Sequence, residues 1–594
     1  MASLMLFCSV AAAILALVWP QIRRRVKQFQ LLRKVPGPTS LSIWTGVSKQ
    51  LHSPYAIPYR EEILTSYGRV IRLPDRLGEV HLAVADPLAL ATMFGKYRDA
   101  FDLSESRLET GNTVFGPGLT AVKGREHLEQ RKHLSPVFST RYIRDMIPTF
   151  DAVAQELVQV MRSQIAGAST EVEIAEYMSR FSLECVGRAV LAYSFGPMEK
   201  HGTGYSRALK EFGPTIVQLN AWRPLLPWLK RVFPRSWLRY SAEVIPYAPL
   251  QRRRSISDSV NATARQILQQ KKETLRDGDK IVKQEFGEGK DLISMLGTLQ
   301  LPLVVGCVAK AVQRNTMPSP LGTSRHSPRT ISSDRCRAYP DSSKVSLRSS
   351  FGAYSMLLLQ ATDSTSSTLV RILQQLSHYP EVQERVRQEL LEATSGTGRT
   401  VQDMNFESYA QLPYMDAVIR EAIRMYPGFY MTSRVYVALR ALGCLNGFPS
   451  DHHAPSSIHS SDQDTVLPLS APIQGVDGQP IEELAIPAGT TVWLNIFGVN
   501  RDPTTWGPDA AEWKPERWLS PLPQSLTDAH IPSVFANTMT FVAGPRSCIG
   551  YNFALAEIRV VLAHLLLAFH GIASPSVKGS KTAKPELPLV LTSL

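Results

Sequence analysis

The sequence is poor in cysteine and has no short cysteine pairs. Its six cysteines (Cys8, Cys185, Cys307, Cys336, Cys444 and Cys548) are scattered over 594 residues. This argues against a disulfide scaffold and fits a reducing cytosol. No flavin or nicotinamide fingerprint occurs, so the chain carries no site of its own for taking electrons from a nicotinamide. No internal repeat is visible. No basic stripe interleaved with aromatics is present either, although the formal charge is +13. That charge is concentrated in two places: residues 1–34 carry +6 with no acid, residues 311–350 carry +5, and the remainder is close to neutral at +2. Nucleic acid is therefore not an expected partner.

Charge is absent from Ala2 to Ile22, whose centre from Leu4 to Trp19 is strongly apolar. Such a run is about long enough to span a bilayer. Arg23, Arg24, Arg25 and Lys27 follow it directly. Positive charge after the apolar run keeps the body cytosolic, whereas a cleaved secretory signal, the rival reading, carries its charge before it. The expected organisation is a membrane anchor over residues 1–22, a basic hinge with Pro36-Gly-Pro38 over 23–40, and one large unit over 41–594. Within that unit the strands read from Tyr67 to Leu73, from Glu79 and from Thr490 to Phe497 are few beside the helical patterns, so the body is mainly α with small β-sheets.

Phe541-Val-Ala-Gly544-Pro-Arg546-Ser-Cys548-Ile-Gly550 is the most informative segment. It sets one cysteine in a tight turn before an apolar helical run from Tyr551. The first turn of a helix offers unpaired N–H groups and the positive end of its dipole, which favour a thiolate able to hold iron. Gly544 and Gly550 permit turn geometry closed to other residues, and Phe541 would shield the sulfur. A buried structural cysteine is the alternative for a less complete pattern.

The segment resembles the haem-ligand loop of the cytochrome P450 family, Phe-x-x-Gly-x-Arg-x-Cys-x-Gly, at all five fixed positions. The resemblance implies haem b buried between helices, with its iron held by Cys548 and a propionate paired with Arg546. Thiolate ligation favours O–O cleavage. Further segments match in the family's order. Glu421-Ala-Ile-Arg424 and Arg517 of Pro515-Glu-Arg-Trp imply a buried ionic triad that supports the loop and does no chemistry. His127 and Arg131, four apart on a helix, imply one propionate contact, and Arg434 the other; without the family they would read as polar residues on an exposed helix. Ala361-Thr-Asp363-Ser364-Thr365 aligns with the oxygen-activating helix, where an acid and a following hydroxyl relay protons. Ala361 stands where the family has glycine, and Ser364 where it has threonine, which leaves the hydroxyl freer to rotate. The alternative is a helix start capped by Asp363 and Ser364.

Two segments depart from the pattern. Residues 302–350 end in an aperiodic Ser/Arg/Pro-rich stretch, and residues 436–463 interrupt the chain after Arg434. Loops this long inside a compact domain are uncommon. They read either as disordered surface insertions or as intron sequence carried into the gene; on the second reading Gln360 and the residues before it are not the true helix. His452, His453 and His459 have no partners at metal-ligand spacing.

The resemblance implies a fungal-type, haem-thiolate monooxygenase of the endoplasmic reticulum membrane. It would take electrons from NADPH–cytochrome P450 reductase, with cytochrome b5 as a further donor, and hydroxylate or epoxidise a lipophilic secondary metabolite such as a terpenoid. Substrate contacts are expected near 101–120 and 210–225. Two alternatives stay open: a haem-binding protein impaired in turnover, and a reductase-independent haem-thiolate isomerase or peroxygenase.

Overall fold

The computed structural model describes residues 19–593 apart from 278–341, 437–463, 574–587 and short stretches at 20, 41, 52, 54–55, 166–169, 197, 199–203, 221 and 396–399. Among the described residues there are ten strands: β1 Val70–Pro74, β2 Val80–Val84, β3 Phe101–Asp102, β4 Thr170–Glu173, β5 Met431–Tyr436, β6 Thr465–Gln474, β7 Pro480–Ile486, β8 Thr491–Asn495, β9 Phe569–Ala573 and β10 Pro588–Ser593. The helices that carry the site are α1 Pro87–Phe94, α2 Glu105–Val114, α3 Gly124–Leu134, α4 Thr140–Gln164, α5 Ile174–Leu191, α6 Gly204–Gln218, α7 Leu226–Val232, α8 Arg235–Val244, α9 Ala248–Asp277, α10 Ser342–His378, α11 Pro380–Ser395, α12 Pro413–Met425 and α13 Tyr551–Ala568.

The principal core is helical. α4 turns Ile143, Phe150, Val153 and Leu157 inward onto Phe553, Val560 and Val561 of α13. α10 contributes Leu369, Ile372 and Leu373 to the same core. These spacings of three and four place apolar side chains on one helical face. A second core lies on a five-stranded sheet of order β1-β2-β8-β5-β3. Its register sets Arg434 opposite Val492 and Phe101 opposite Tyr436. The expected mainly helical body with small sheets is thus observed.

Several boundaries differ from expectation. The strand read through Phe497 stops at Asn495, because the Asn495 side chain accepts a hydrogen bond from Gly498 N–H and begins a short helix at Ile496. Tyr436 is the paired last residue of β5 and not the start of the interruption. α10 begins at Ser342, so 342–350 are helical. Met356, Leu357 and Leu358 are buried in the main core, and Gln360 lies within the same helix. Residues 302–341, 437–463 and the three histidines at 452, 453 and 459 lie outside the described residues. So do residues 1–18 of the expected anchor. Among the described residues, one helix is long and apolar enough to cross a membrane, Tyr551–Ala568, and it is largely buried in the core.

Candidate active site

The cysteine loop is built from both sides. Thr540 Oγ1 donates to Ile423 O at 2.9 Å, and Met539 N–H to Asn500 Oδ1 at 2.8 Å. Asn500 Nδ2 donates in turn to Arg424 O and Thr540 Oγ1. Fully buried Arg424 grips Glu421 with two bonds, at 2.7 and 2.9 Å, and donates to the carbonyls of Asn500 and Ala510. Glu421 also accepts from Lys514 N–H and Trp518 Nε1. Arg517 approaches Glu421 at 3.5 Å and holds Asp509 more closely, at 2.7 Å. The expected triad is therefore brought together, and Asn500, which no sequence signal marked, transmits it to the loop.

Within the loop, Cys548 N–H donates to Phe541 O at 2.9 Å. The Phe541 ring packs edge-on against Phe535, with Tyr551 5.7 Å away. Gly544 has φ +71°, and a Cβ there would meet Phe94 Cδ1 at 2.9 Å, so glycine is required twice over. Gly550 differs from expectation: its φ is −102° and a Cβ would sit 3.6 Å from Phe138, so the turn itself does not demand glycine there. Cys548 keeps accessible surface while protein crowds it. Burial pushes its thiol up, against the N–H of Gly550 and the charge of Arg131, which pull it down. The helix start therefore favours the thiolate, while burial opposes it more strongly.

A group of cations faces one side of this loop. Arg434 on β5 is almost fully buried, and its hydrogen bond is to Ser433 O at 3.0 Å. Burial, then the charges of Arg107 and Arg546, lower its pKa to about 9. Buried His127 is pushed down to about 4, first by burial and then by Arg546, and is neutral near pH 7. Arg131 donates to Ser547 O at 2.8 Å and Ser547 Oγ at 3.0 Å, one residue from the cysteine. Arg546, expected at a propionate, pairs with Asp102 and donates to Leu119 O and Val122 O. Asp102 and Arg107 were not singled out individually in the sequence, although both lie in the 101–120 stretch.

α10 carries the acid and hydroxyl residues. Asp363 and Ser364 keep accessible surface whereas Thr365 is 3% exposed, so Thr365 belongs to the packed face and not beside the other two. Burial raises the Asp363 carboxyl above its usual range, with Lys210 opposing. Ser364 Oγ donates to Gln360 O at 2.7 Å, satisfying the hydroxyl within the helix and leaving it unbonded to Asp363. A Cβ at Gly428 would lie 3.8 Å from Ser364 Cβ, which brings the turn after α12 against this helix.

The donor set suits a thiolate-ligated metal macrocycle bearing two carboxylates. One sulfur receives an N–H from the start of α13, and several guanidiniums share a single facing carboxylate, Asp102. Uncompensated buried cations are costly, and a dianion relieves them. The helical core, the cysteine loop and the cationic rim together define an oxidoreductase of the haem-thiolate class. The family model described as Cytochrome P450 matches residues 36–296, 332–438 and 475–593. The gaps overlap the two segments set apart in the sequence. The chain is 34% identical to cytochrome P450 monooxygenase 219 of Postia placenta over 558 residues, covering 93% of this chain and 90% of the relative. It is 31% identical to a ganoderic acid synthetase of Ganoderma lucidum (91% and 87% covered), and 26% identical to the cytochrome P450 monooxygenase claP of Ampulloclitocybe clavipes (90% and 85%). This chain belongs to the cytochrome P450 family, whose cofactor is haem with a thiolate-bound iron.

Proposed function

We propose that the protein is a membrane-anchored monooxygenase that hydroxylates or epoxidises a lipophilic small molecule of fungal secondary metabolism, such as a terpenoid. The observation that carries this reading is the Cys548 loop, tied through Asn500 to the Glu421–Arg424 pair and faced by unpaired cationic capacity. Cys548 would hold the iron, and Arg434, His127, Arg131 and Arg546 would bind the propionates. A bound haem would supply the oxygen activation that monooxygenation needs, in which one atom of O2 enters the substrate and the other leaves as water. Asp363, the raised carboxyl on α10, carries protons inward, and Ser364 passes them on by releasing Gln360 O. The names of the relatives, one a ganoderic acid synthetase, favour a terpenoid or similar metabolite.

Electrons come from NADPH through a membrane-bound reductase, with cytochrome b5 as a further donor, since the chain has no nucleotide fingerprint of its own. The endoplasmic reticulum assignment is supported by the apolar run ending at Ile22 and by exposed Trp222, Trp228, Trp237 and Tyr240 beside Lys230 and Arg231, a composition suited to a bilayer interface. The test is the reduced, CO-bound difference spectrum followed by reconstitution with reductase. A thiolate-type band that is lost in Cys548→Ala, together with substrate-dependent NADPH consumption, is expected. A colourless protein, or an unchanged band in the variant, overturns the reading.

A further inference from the structure

A second set of guanidiniums lies around one turn of α2, beyond the propionate group. Arg223, in the 3₁₀ turn Arg223–Leu225, donates Nε to Thr110 Oγ1 at 3.3 Å and Nη1 to Asn220 Oδ1 at 3.4 Å. Arg253 on α9 donates to Thr110 O at 3.4 Å and contacts Thr113 Oγ1. Arg107 on α2 itself donates to Thr432 Oγ1 at 3.1 Å. Two separate elements thus bring Arg223 and Arg253 to Thr110, Arg107 is close enough to repel both Arg223 and Arg434, and every hydrogen-bond partner named is neutral.

The nearby acids are engaged elsewhere. Glu105 pairs with Lys123 and Arg231, Glu109 with Lys230, and Asp102 with Arg546. Asp75 and Glu79 flank His81. Among the described residues no carboxylate offsets Arg107, Arg223 or Arg253. Burial lowers all three, and Arg107, Arg76 and Arg253 add repulsion that takes Arg223 down to about 10. Partly buried cations held together against their repulsion, with neutral oxygens as their hydrogen-bond partners, are poised for an anion. A planar carboxylate offers the two-pronged acceptor that a guanidinium fits.

The position narrows which anion. Arg223 lines a cleft of ≈ 1380 Å³ that also touches His127, Arg434 and Arg546, and Trp228 and Pro227 lie at the same wall. The cleft is large enough for a small lipid or terpenoid skeleton. A molecule lying with its acid end at Arg223 therefore occupies the same cleft as the cationic rim of the site.

We infer that Arg223 and Arg253, backed by Arg107, form a receptor for a carboxylate on the substrate, so that the protein selects lipophilic acids over their neutral counterparts. The inference deepens the monooxygenase reading and rests on it.

The test uses haem-loaded, full-length protein whose CO difference spectrum has first been recorded. Three acids of different skeleton (dodecanoic, dehydroabietic and oleanolic acid) and their methyl esters are titrated by equilibrium dialysis and by the substrate-induced Soret shift. At least one acid is expected to bind tenfold or more tightly than its ester. The double variant Arg223→Gln/Arg253→Gln should erase that preference with ester affinity unchanged, and the single variant Arg223→Lys should retain part of it. Equal affinity of acids and esters, binding of neither, or a preference that survives the double variant overturns the inference. So does a double variant that loses haem, because these arginines would then serve the cofactor. A wild-type protein without the thiolate CO band overturns the monooxygenase reading itself, and dialysis still reports acid preference separately.

Discussion

Arg546, two residues before Cys548, is locked onto Asp102 of β3 by a two-pronged ion pair whose closest approach is 2.8 Å. The pair ties the cysteine loop to the five-stranded sheet across 444 positions of sequence. Arg546 also donates to Leu119 O and Val122 O, so the same side chain holds the segment leading into α3. The side chain is thus a joint between three pieces of chain.

Removing that joint has a definite direction. Asp102→Asn should lower stability by about 1.5–3 kcal/mol, the usual worth of a charge-assisted hydrogen bond. The midpoint of urea unfolding reads the loss, and Asp102→Glu should recover part of it. An unchanged midpoint in Asp102→Asn would mean that the pair carries no structural weight.

The Glu421–Arg424 pair is wholly enclosed, so breaking it leaves a bare buried charge. Glu421→Gln should cost about 3–5 kcal/mol and release haem readily, because Asn500 then loses its fixed support. Denaturation and haem retention on a desalting column measure both effects.

Gly544 and Gly550 flank the cysteine but are constrained differently. Gly544→Ala must take φ +71° and push Phe94 aside, at a cost of about 1–2 kcal/mol for the backbone alone. Gly550→Ala meets ordinary contact distances and should fold with near wild-type stability. Equal loss in both variants would contradict this asymmetry.

Glu557 of α13 is fully buried, and burial raises its pKa from 4.5 to about 8, with Ser182 opposing. The folded chain therefore keeps this proton to higher pH than the unfolded chain does. Stability is full below pH 4.5 and falls as pH rises towards 8, by up to about 1.4 kcal/mol per pH unit from this group. Glu557→Gln keeps a neutral side chain at every pH. Its advantage in melting temperature over wild type should grow from pH 5 to pH 8; a constant difference would rule out this titration.

Ser364 lacks the methyl group that would fix its hydroxyl, and it donates to Gln360 O. Proton delivery should accordingly be leaky, with peroxide released per NADPH consumed in the order Ser364→Ala, then wild type, then Ser364→Thr. Tight coupling in the wild-type protein would sink this expectation.

Local pattern was enough to locate much of the site. The cysteine turn, the Glu421–Arg424 spacing on one helical face and the apolar period of α13 are all short-range features that residue identity and helical geometry expose directly. Asn500 carried no such signal, because its role depends on accepting from Met539 N–H, 39 positions away. Arg223 and Arg253 looked like ordinary charged residues, and their common target on Thr110 exists only once α9 and the 3₁₀ turn at Arg223–Leu225 fold against α2.

By itself the sequence determined which side chains can do chemistry and which helix faces turn inward, since both follow from residue type and a period of three to four. Tertiary structure alone decided which charges meet. It brought Arg546 to Asp102, and it left Arg223 and Arg253 without a carboxylate partner among the described residues. The reason is physical: an ion pair depends on a few ångströms between groups far apart in the chain, and only packing sets that distance.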